Sequence, residues 1–164
     1  MKMGPFLMCA VIQIEYNHRP FHVVWLLEPI EGENMTGKIV PFGYAAKGAE
    51  ERLAELMQDE NMMLMDIRLK PVSRWRPVWN RGALSAAWKR RYFWVGFKLG
   101  NKNYNNDLPI ELVDPSGVSS VIELLRQDQH VVLLCACKHY EKCHRKVVTE
   151  LVQQQLPEVE IDNE

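Results

Sequence analysis

The sequence predicts a single α/β domain of three layers, with a mostly parallel sheet between helices and a β-hairpin-like extension at the N-terminus. From residue 38 onward, short apolar runs alternate with amphipathic segments, which is typical of a parallel sheet joined by crossover helices. The apolar runs contain few polar residues, and an uninterrupted run favours a strand that is buried on both faces. At 164 residues the chain is long enough to bury roughly 68–70% of its unfolded surface, so neither disulfides nor a metal are needed merely for folding.

The first part of the alternating region predicts two strands and two helices. "GKIVPFG" is a short apolar strand that ends at Gly43, and "NMMLMDIR" is a second one. Between them, residues 47–58 carry apolar side chains at helical spacing. Asn80 is a suitable N-cap for a helix that runs through Arg90.

The second part predicts two more strands and two more helices. "YFWVGF" is an aromatic strand, and "VVLLC" is the fourth strand. Asp114 followed by Pro115 is a strong start for a helix. A last helix follows Lys142, and "PEVEI" at residues 157–161 could add a final strand.

Residues 1–36 do not follow this alternation. "FLMCAVIQIEY" and "FHVVWLLE" are separated by "NHRP", a pattern that indicates a hairpin. The sequence therefore divides into an N-terminal extension of strands at 1–36 and an α/β domain at 37–164. No run approaches the ~20 apolar residues of a membrane span, so we expect no membrane partner, a cytoplasmic location and reduced cysteines.

A net charge of -1 conceals a strongly basic segment. Between Ile67 and Lys102 there are ten Lys and Arg residues, no Asp or Glu, and several aromatic residues. This combination favours a phosphorylated small molecule or nucleic acid as partner, and makes Arg68, Arg74 and Arg76 candidate ligand-binding residues. Alternatively, the aromatic residues are core and the basic residues form a solvated rim.

Cysteine and histidine residues are concentrated in "VVLLCACKHYEKCHRKVVTELV", residues 131–152. Strands of a parallel sheet deliver their C-terminal residues to one edge, where ligands bind, so Cys135 should meet Asp66. The last helix begins without a Ser, Thr, Asp or Asn cap. A thiol at this helix start, Cys143, would therefore have its thiolate favoured by the backbone amides and by its neighbours His144 and Arg145.

Cys143, Asp66, Cys135 and His144 are accordingly the candidate catalytic residues, and Arg145 is a candidate ligand-binding residue. We expect Asp66 and Arg145 to lie within reach of each other and to face a solvated cleft. The alternative is structural, with two small buried cysteines in contact and Arg145 paired to Asp66.

Zinc is a further alternative for the same residues. Cys135, Cys137 and Cys143, with His139 or His144, could supply four ligands, but a zinc ribbon normally has a distant second cysteine pair. The only other cysteine is Cys9. We therefore expect no metal and no cofactor.

The assembled motifs resemble the family known as domain of unknown function 488. They are "VPFGY" at 40–44, "LMDIRLKPVSRWRP" at 64–77, "YFWVGFKLG" at 92–100 and "LLCACKHYEKCHR" at 133–145. The resemblance covers residues 38–156 and adds Gly43 and Tyr44, at the first glycine turn, to the candidate ligand-binding residues. The chain departs from the family where Cys137 replaces a frequent glutamate and where Tyr44-Ala45-Ala46 replaces a polar residue.

Two functions follow as hypotheses. In the first, the protein is an enzyme or binding protein for a nucleotide or other phosphorylated ligand at the C-terminal edge of the sheet. In the second, it is a binding module for nucleic acid or an acidic protein, and the cysteine motif is structural. The sequence does not specify a reaction.

Overall fold

A computed structural model describes residues 37–162, so the predicted strands in residues 1–36 lie outside the described part of the chain. Within residues 37–162 the strands are β1 (Ile39–Gly43), β2 (Met62–Asp66), β3 (Tyr92–Trp94) and β4 (His130–Cys135). The α-helices of this part are α1 (Ala49–Leu56), α2 (Arg81–Trp88), α3 (Gly96–Leu99), α4 (Val118–Arg126) and α5 (His144–Gln155).

The four strands form one sheet in the order β1-β4-β2-β3, and every pairing is parallel. The last strand in sequence is therefore inserted between the first and the second. This register places Gly43 opposite Cys135 and Asp66 opposite Leu134, so three strands end at the same level. The predicted α/β class is confirmed, with a wholly parallel sheet.

Helices cover both faces of the sheet, because side chains of β4 alternate between two apolar cores. Val132 and Leu134 pack with residues of α1 and α2, among them Leu53 and Leu84. Val131 and Leu133 face the opposite core, which α4 and α5 complete through Val118, Val121, Ile122, Leu125, Val148 and Val152. The strands are thus buried on both faces, as their uninterrupted apolar runs predict.

The helices that follow neighbouring strands leave toward opposite faces. β1 and β2 lead to helices of one layer, α1 and α2, whereas β4 between them leads to α5 in the other layer. Such a reversal opens a crevice at the carboxyl ends of the strands. Here the reversal occurs on both sides of β4.

Two predicted strands differ from the structure. The third one ends at Trp94, because the chain turns into α3 at Gly96, where a Cβ atom would overlap the carbonyl oxygen of Arg68. The predicted C-terminal strand is reduced to one parallel bridge between Ile39 and Ile161. Across residues 37–162 there is no helix with the length and apolar character needed to span a membrane.

Candidate functional site

Asp66, at the end of β2, is the centre of a buried polar network. Its carboxylate accepts hydrogen bonds from Arg68 Nε at 2.7 Å, Arg68 Nη2 at 2.5 Å and the Tyr92 hydroxyl at 2.8 Å. Arg68 Nη2 also donates to the carbonyl oxygen of Trp79 at 2.7 Å. Burial and the neighbouring Asp66 charge raise the pKa of Tyr92, so the phenol stays a donor. Burial opposes the charge on Arg68, but its bonds to Asp66 raise its pKa.

Arg145, on the first turn of α5, bonds to sulfur and to backbone. Its Nε donates to Cys143 Sγ at 3.3 Å, and its Nη2 donates to the carbonyl oxygen of Cys137 at 3.0 Å. The expected pair of Asp66 with Arg145 is therefore wrong. Both side chains are buried, at 0% and 2% exposure, and each bonds to other partners. Since β4 lies between β1 and β2, Arg145 is drawn toward Gly43 and away from β2.

Three cysteines come together at the end of β4 and the start of α5. The Sγ atoms of Cys135, Cys137 and Cys143 all lie within 4.8 Å of one another. The Sγ atoms of Cys135 and Cys137 are 3.5 Å apart. His144 Nδ1 lies 3.8 Å from Cys135 Sγ and 3.9 Å from Cys143 Sγ, while its Nε2 is 3.0 Å from the carbonyl oxygen of Ile67.

This proximity favours the thiolate form of Cys143 over that of its two neighbouring cysteines. Hydrogen bonds from Cys135 and Cys137 lower the pKa of Cys143, with His144 as a further contributor, and together they outweigh burial. Hydrogen bonds to Cys135 and Cys143 raise the pKa of Cys137. The bond with Cys137 lowers the pKa of Cys135, but its bond to Cys143 and burial raise it overall to about 12. Burial opposes protonation of His144, yet the bond with Cys143 raises its pKa.

The first turn of α5 lacks a side-chain cap, as its sequence predicts. Cys143 is the N-cap residue, and no side chain caps the first turn. Asp114, in contrast, caps its helix as predicted, because its side chain accepts a hydrogen bond from Ser116 N. The Cys143 side chain is almost completely buried, whereas Cys137 is exposed.

Two clefts flank β4 at this edge of the sheet. The first, which we call the Tyr104 cleft, has a volume of about 390 Å³, and Cys135, Cys143 and His144 belong to its lining together with Tyr44, Arg68, Lys70, Lys142 and Tyr104. The second, the Gly43 cleft, has a volume of about 540 Å³ and is lined in part by Gly43, Lys47, Lys138, Lys142 and Arg145. Four of the six predicted ligand-binding residues are thus divided between the two clefts.

Two predicted ligand-binding arginines line neither cleft. Arg76 Nη1 donates to the carbonyl oxygen of Tyr44 at 2.5 Å, and its Nη2 lies 3.3 Å from Glu50. Arg74 is exposed. It precedes Trp75, whose side chain is 87% exposed. These residues belong to a surface beside the Tyr104 cleft.

Several residues of the Tyr104 cleft were not among the predicted site residues. Lys70 and Lys142 line it, and the 101–110 loop contributes Asn101, Asn103, Tyr104 and Asn106. The sequence signal for this loop was the presence of four asparagines among the six residues of "NKNYNN". Tyr92 was also not predicted as a partner of Asp66. The sequence of a strand does not indicate which other strand lies beside it, and here β3 lies beside β2.

The fold and the site define an α/β protein with a cysteine-histidine cluster and two cationic clefts at the carboxyl edge of a parallel sheet. Residues 82–156 match the family model DUF488-N3a, described as "Active DUF488-N3 subclade". The chain thus matches a model of the domain of unknown function 488 family over 75 of its 164 residues, which confirms the resemblance found in its sequence. The matched residues include Cys135, Cys143, His144 and Arg145, whereas Asp66 and Arg68 precede them.

No curated protein and no solved structure matches the chain.

Proposed function

We propose that the protein binds a phosphorylated small molecule of nucleotide size in the Tyr104 cleft, with the reacting end of the ligand against Cys135, Cys143 and His144. The observation that carries this proposal is the charge of the cleft. Its lining residues include three cations, Arg68, Lys70 and Lys142, and no Asp or Glu among the described residues. Its volume of about 390 Å³ lies within the range of small-molecule sites, roughly 300–1,000 Å³.

Two of the three cations supply the attraction. Asp66 already neutralises Arg68, whereas Lys70 and Lys142 are exposed. Lysine binds phosphate as a compact point charge. The Tyr104 ring and the asparagine side chains of the same loop would contact the remainder of the ligand through stacking and hydrogen bonds.

A catalytic role for the cleft floor is favoured by two features. His144 and Cys143 are polar groups fixed by buried contacts beside an open cleft. The description of the matching family model as an active subclade points in the same direction. Neither feature assigns a reaction class, so the proposal concerns the ligand and where it binds.

The proposal is tested by thermal and denaturant unfolding in the presence of ADP, AMP, orthophosphate and adenosine. We expect stabilisation that grows with the concentration of the phosphorylated compounds, as for any ligand that binds only the native state. The double variant Lys70→Gln/Lys142→Gln should lose most of it. Arg90→Gln, which removes an exposed charge outside both clefts, should keep it. Equal stabilisation by adenosine and ADP, or an unaffected double variant, would contradict a phosphate site.

A second candidate function is the binding of single-stranded nucleic acid, and one surface favours it. Val72 and Trp75 are large apolar side chains at 71% and 87% exposure, and exposed Arg74 lies between them in sequence. Exposed aromatic rings next to cations are stacking platforms for bases. Val72 also lines the Tyr104 cleft, so a strand stacked on Trp75 could continue into the cleft.

A further inference from the structure

We propose that Cys135, Cys137, Cys143 and His144 form a zinc site at the floor of the Tyr104 cleft. The zinc site shares Cys135, Cys143 and His144 with the proposed ligand site, but it is tested by metal content and not by stabilisation with phosphorylated compounds. In the sequence, the absence of a distant second cysteine pair argues against zinc. The structure removes that objection, because the end of β4 and the start of α5 bring three cysteines, Cys135, Cys137 and Cys143, together. His144 Nδ1 lies beside two of them, Cys135 and Cys143.

The distances fit tetrahedral coordination. Zn–S bonds of about 2.3 Å and Zn–N bonds of about 2.0–2.1 Å place two sulfurs about 3.8 Å apart and a sulfur and a nitrogen about 3.6 Å apart. The observed separations are 3.5 Å for Cys135 Sγ to Cys137 Sγ, and 3.8 and 3.9 Å from His144 Nδ1 to the sulfurs of Cys135 and Cys143. The remaining sulfur pairs lie within 4.8 Å. The three sulfurs are thus already grouped as zinc ligands, and His144 Nδ1 would complete the set by a movement of its side chain toward Cys137.

The environment of His144 is that of a metal ligand. Its Nε2 lies 3.0 Å from the carbonyl oxygen of Ile67, which can only accept a hydrogen bond, so Nε2 carries a proton. In the neutral ring the lone pair is then on Nδ1, which points at the sulfurs. Metal-bound histidines in proteins almost always donate their second ring N–H to a carboxylate, a backbone carbonyl or water.

The buried charges also balance around a zinc ion. Three thiolates and one divalent zinc leave a single negative charge, and Arg145 supplies one positive charge through its Nε contact to Cys143 Sγ at 3.3 Å. In the described residues no carboxylate is bonded to this buried guanidinium. An unpaired buried charge is costly, so the cluster is its electrostatic partner. Thiolate-rich donor sets of this kind select zinc over magnesium or calcium.

Zinc content is the first test. The full chain, produced with a tag that binds no metal and kept reduced, should contain about one zinc per chain. Cys9→Ser changes the one cysteine that is not among the proposed ligands and should keep this content. Cys137→Ser changes an exposed ligand with little effect on the core, and should weaken zinc binding at least about 10-fold, the lower limit seen even for changes behind the ligands.

Cobalt substitution of the wild-type chain is the second test, and it needs no variant. We expect a sulfur-to-cobalt charge-transfer band and the visible absorption of a tetrahedral site. Reduced wild-type protein that holds no zinc and gives neither absorption would overturn the proposal. That result would show that the three cysteines share protons without a metal. Zinc retained equally by wild type, Cys9→Ser and Cys137→Ser would also overturn it, as would loss of zinc from Cys9→Ser.

Discussion

Asp66 and Arg68 form an ion pair inside the protein, two residues apart at the end of β2. Arg68 Nη2 lies 2.5 Å from Asp66 Oδ2, and the two side chains are 5% and 0% exposed. The backbone N–H of Arg68 also donates to Asp66 Oδ1 at 3.1 Å. The Asp-x-Arg motif is therefore closed on itself, and it holds the chain where β2 turns toward the Tyr104 cleft.

Asp66→Asn is predicted to be strongly destabilising, because it leaves the Arg68 guanidinium buried without its counter-charge. Breaking a buried pair in this way costs on the order of 3–5 kcal/mol. The sequence predicts less than about 1 kcal/mol for this change, on the expectation that Asp66 pairs with Arg145 in a solvated cleft. The structure pairs Asp66 with the buried Arg68 instead. Urea unfolding of both proteins measures the difference. Asp107→Asn, which changes an exposed aspartate, is the control and should be near neutral.

Tyr92→Phe tests the third member of this network. Loss of the hydrogen bond to the Asp66 carboxylate should cost about 1.5–3 kcal/mol at neutral pH, as for bonds to charged groups. Because burial raises the pKa of Tyr92 in the folded state, its contribution is complete below the unfolded pKa of about 10. It is then lost as the pH rises toward the folded value. Wild type and variant should thus converge in stability above about pH 10, and a constant difference through the alkaline range would contradict the assignment.

The sequence predicted the elements of this fold better than their arrangement. Apolar runs and helical spacing are local properties, so they locate the four strands and the helices α1, α2, α4 and α5. The short helix α3 was not predicted, and the predicted C-terminal strand is only a bridge. Capping is local too, and Asp114 behaves as predicted. Asn80 occupies its predicted position before α2, but its side chain accepts a hydrogen bond from Ser73 N instead of capping the helix.

The strand order could not be predicted, and it decides the partners within the site. Parallel strands joined by crossovers can be ordered in several ways, and periodicity does not distinguish them. With β4 inserted between β1 and β2, Arg145 lies near Gly43 and Asp66 near Tyr92. The convergence of Cys135, Cys143 and His144 was foreseen, because all three follow one strand along the chain. Their approach to Cys137 depends on a turn that spacing alone does not fix.

Gly43→Ala should destabilise the protein by about 1–3 kcal/mol, the usual cost of overfilling a packed site. A Cβ atom at residue 43 would overlap the carbonyl oxygen of Cys137 and lie 2.9 Å from Arg145 Nη1. Gly82→Ala is a matched control within α2, where a Cβ atom meets nothing within 4 Å. Alanine there should stabilise by about 0.5–1 kcal/mol through its higher helix propensity. Denaturant midpoints of the two variants should therefore shift in opposite directions.

The final prediction concerns the exposed surface formed by Arg74 and Trp75. If it binds single-stranded nucleic acid, Trp75→Ala should weaken binding by about 1–3 kcal/mol for each base that stacks on the ring. Folding stability should change by no more than about 0.5 kcal/mol, because the side chain is 87% exposed. Arg74→Gln should lower the slope of log K against log salt by about one, since it removes one phosphate contact. Fluorescence anisotropy with a labelled oligonucleotide at several salt concentrations measures both effects.

Phe93→Ala, which alters a less exposed aromatic residue on the edge strand β3, is the control and should leave binding unchanged. Absence of binding at ~50 mM salt, or equal effects of Trp75→Ala and Phe93→Ala, would rule out this surface as a nucleic-acid site and leave the small-molecule cleft as the function of the basic segment.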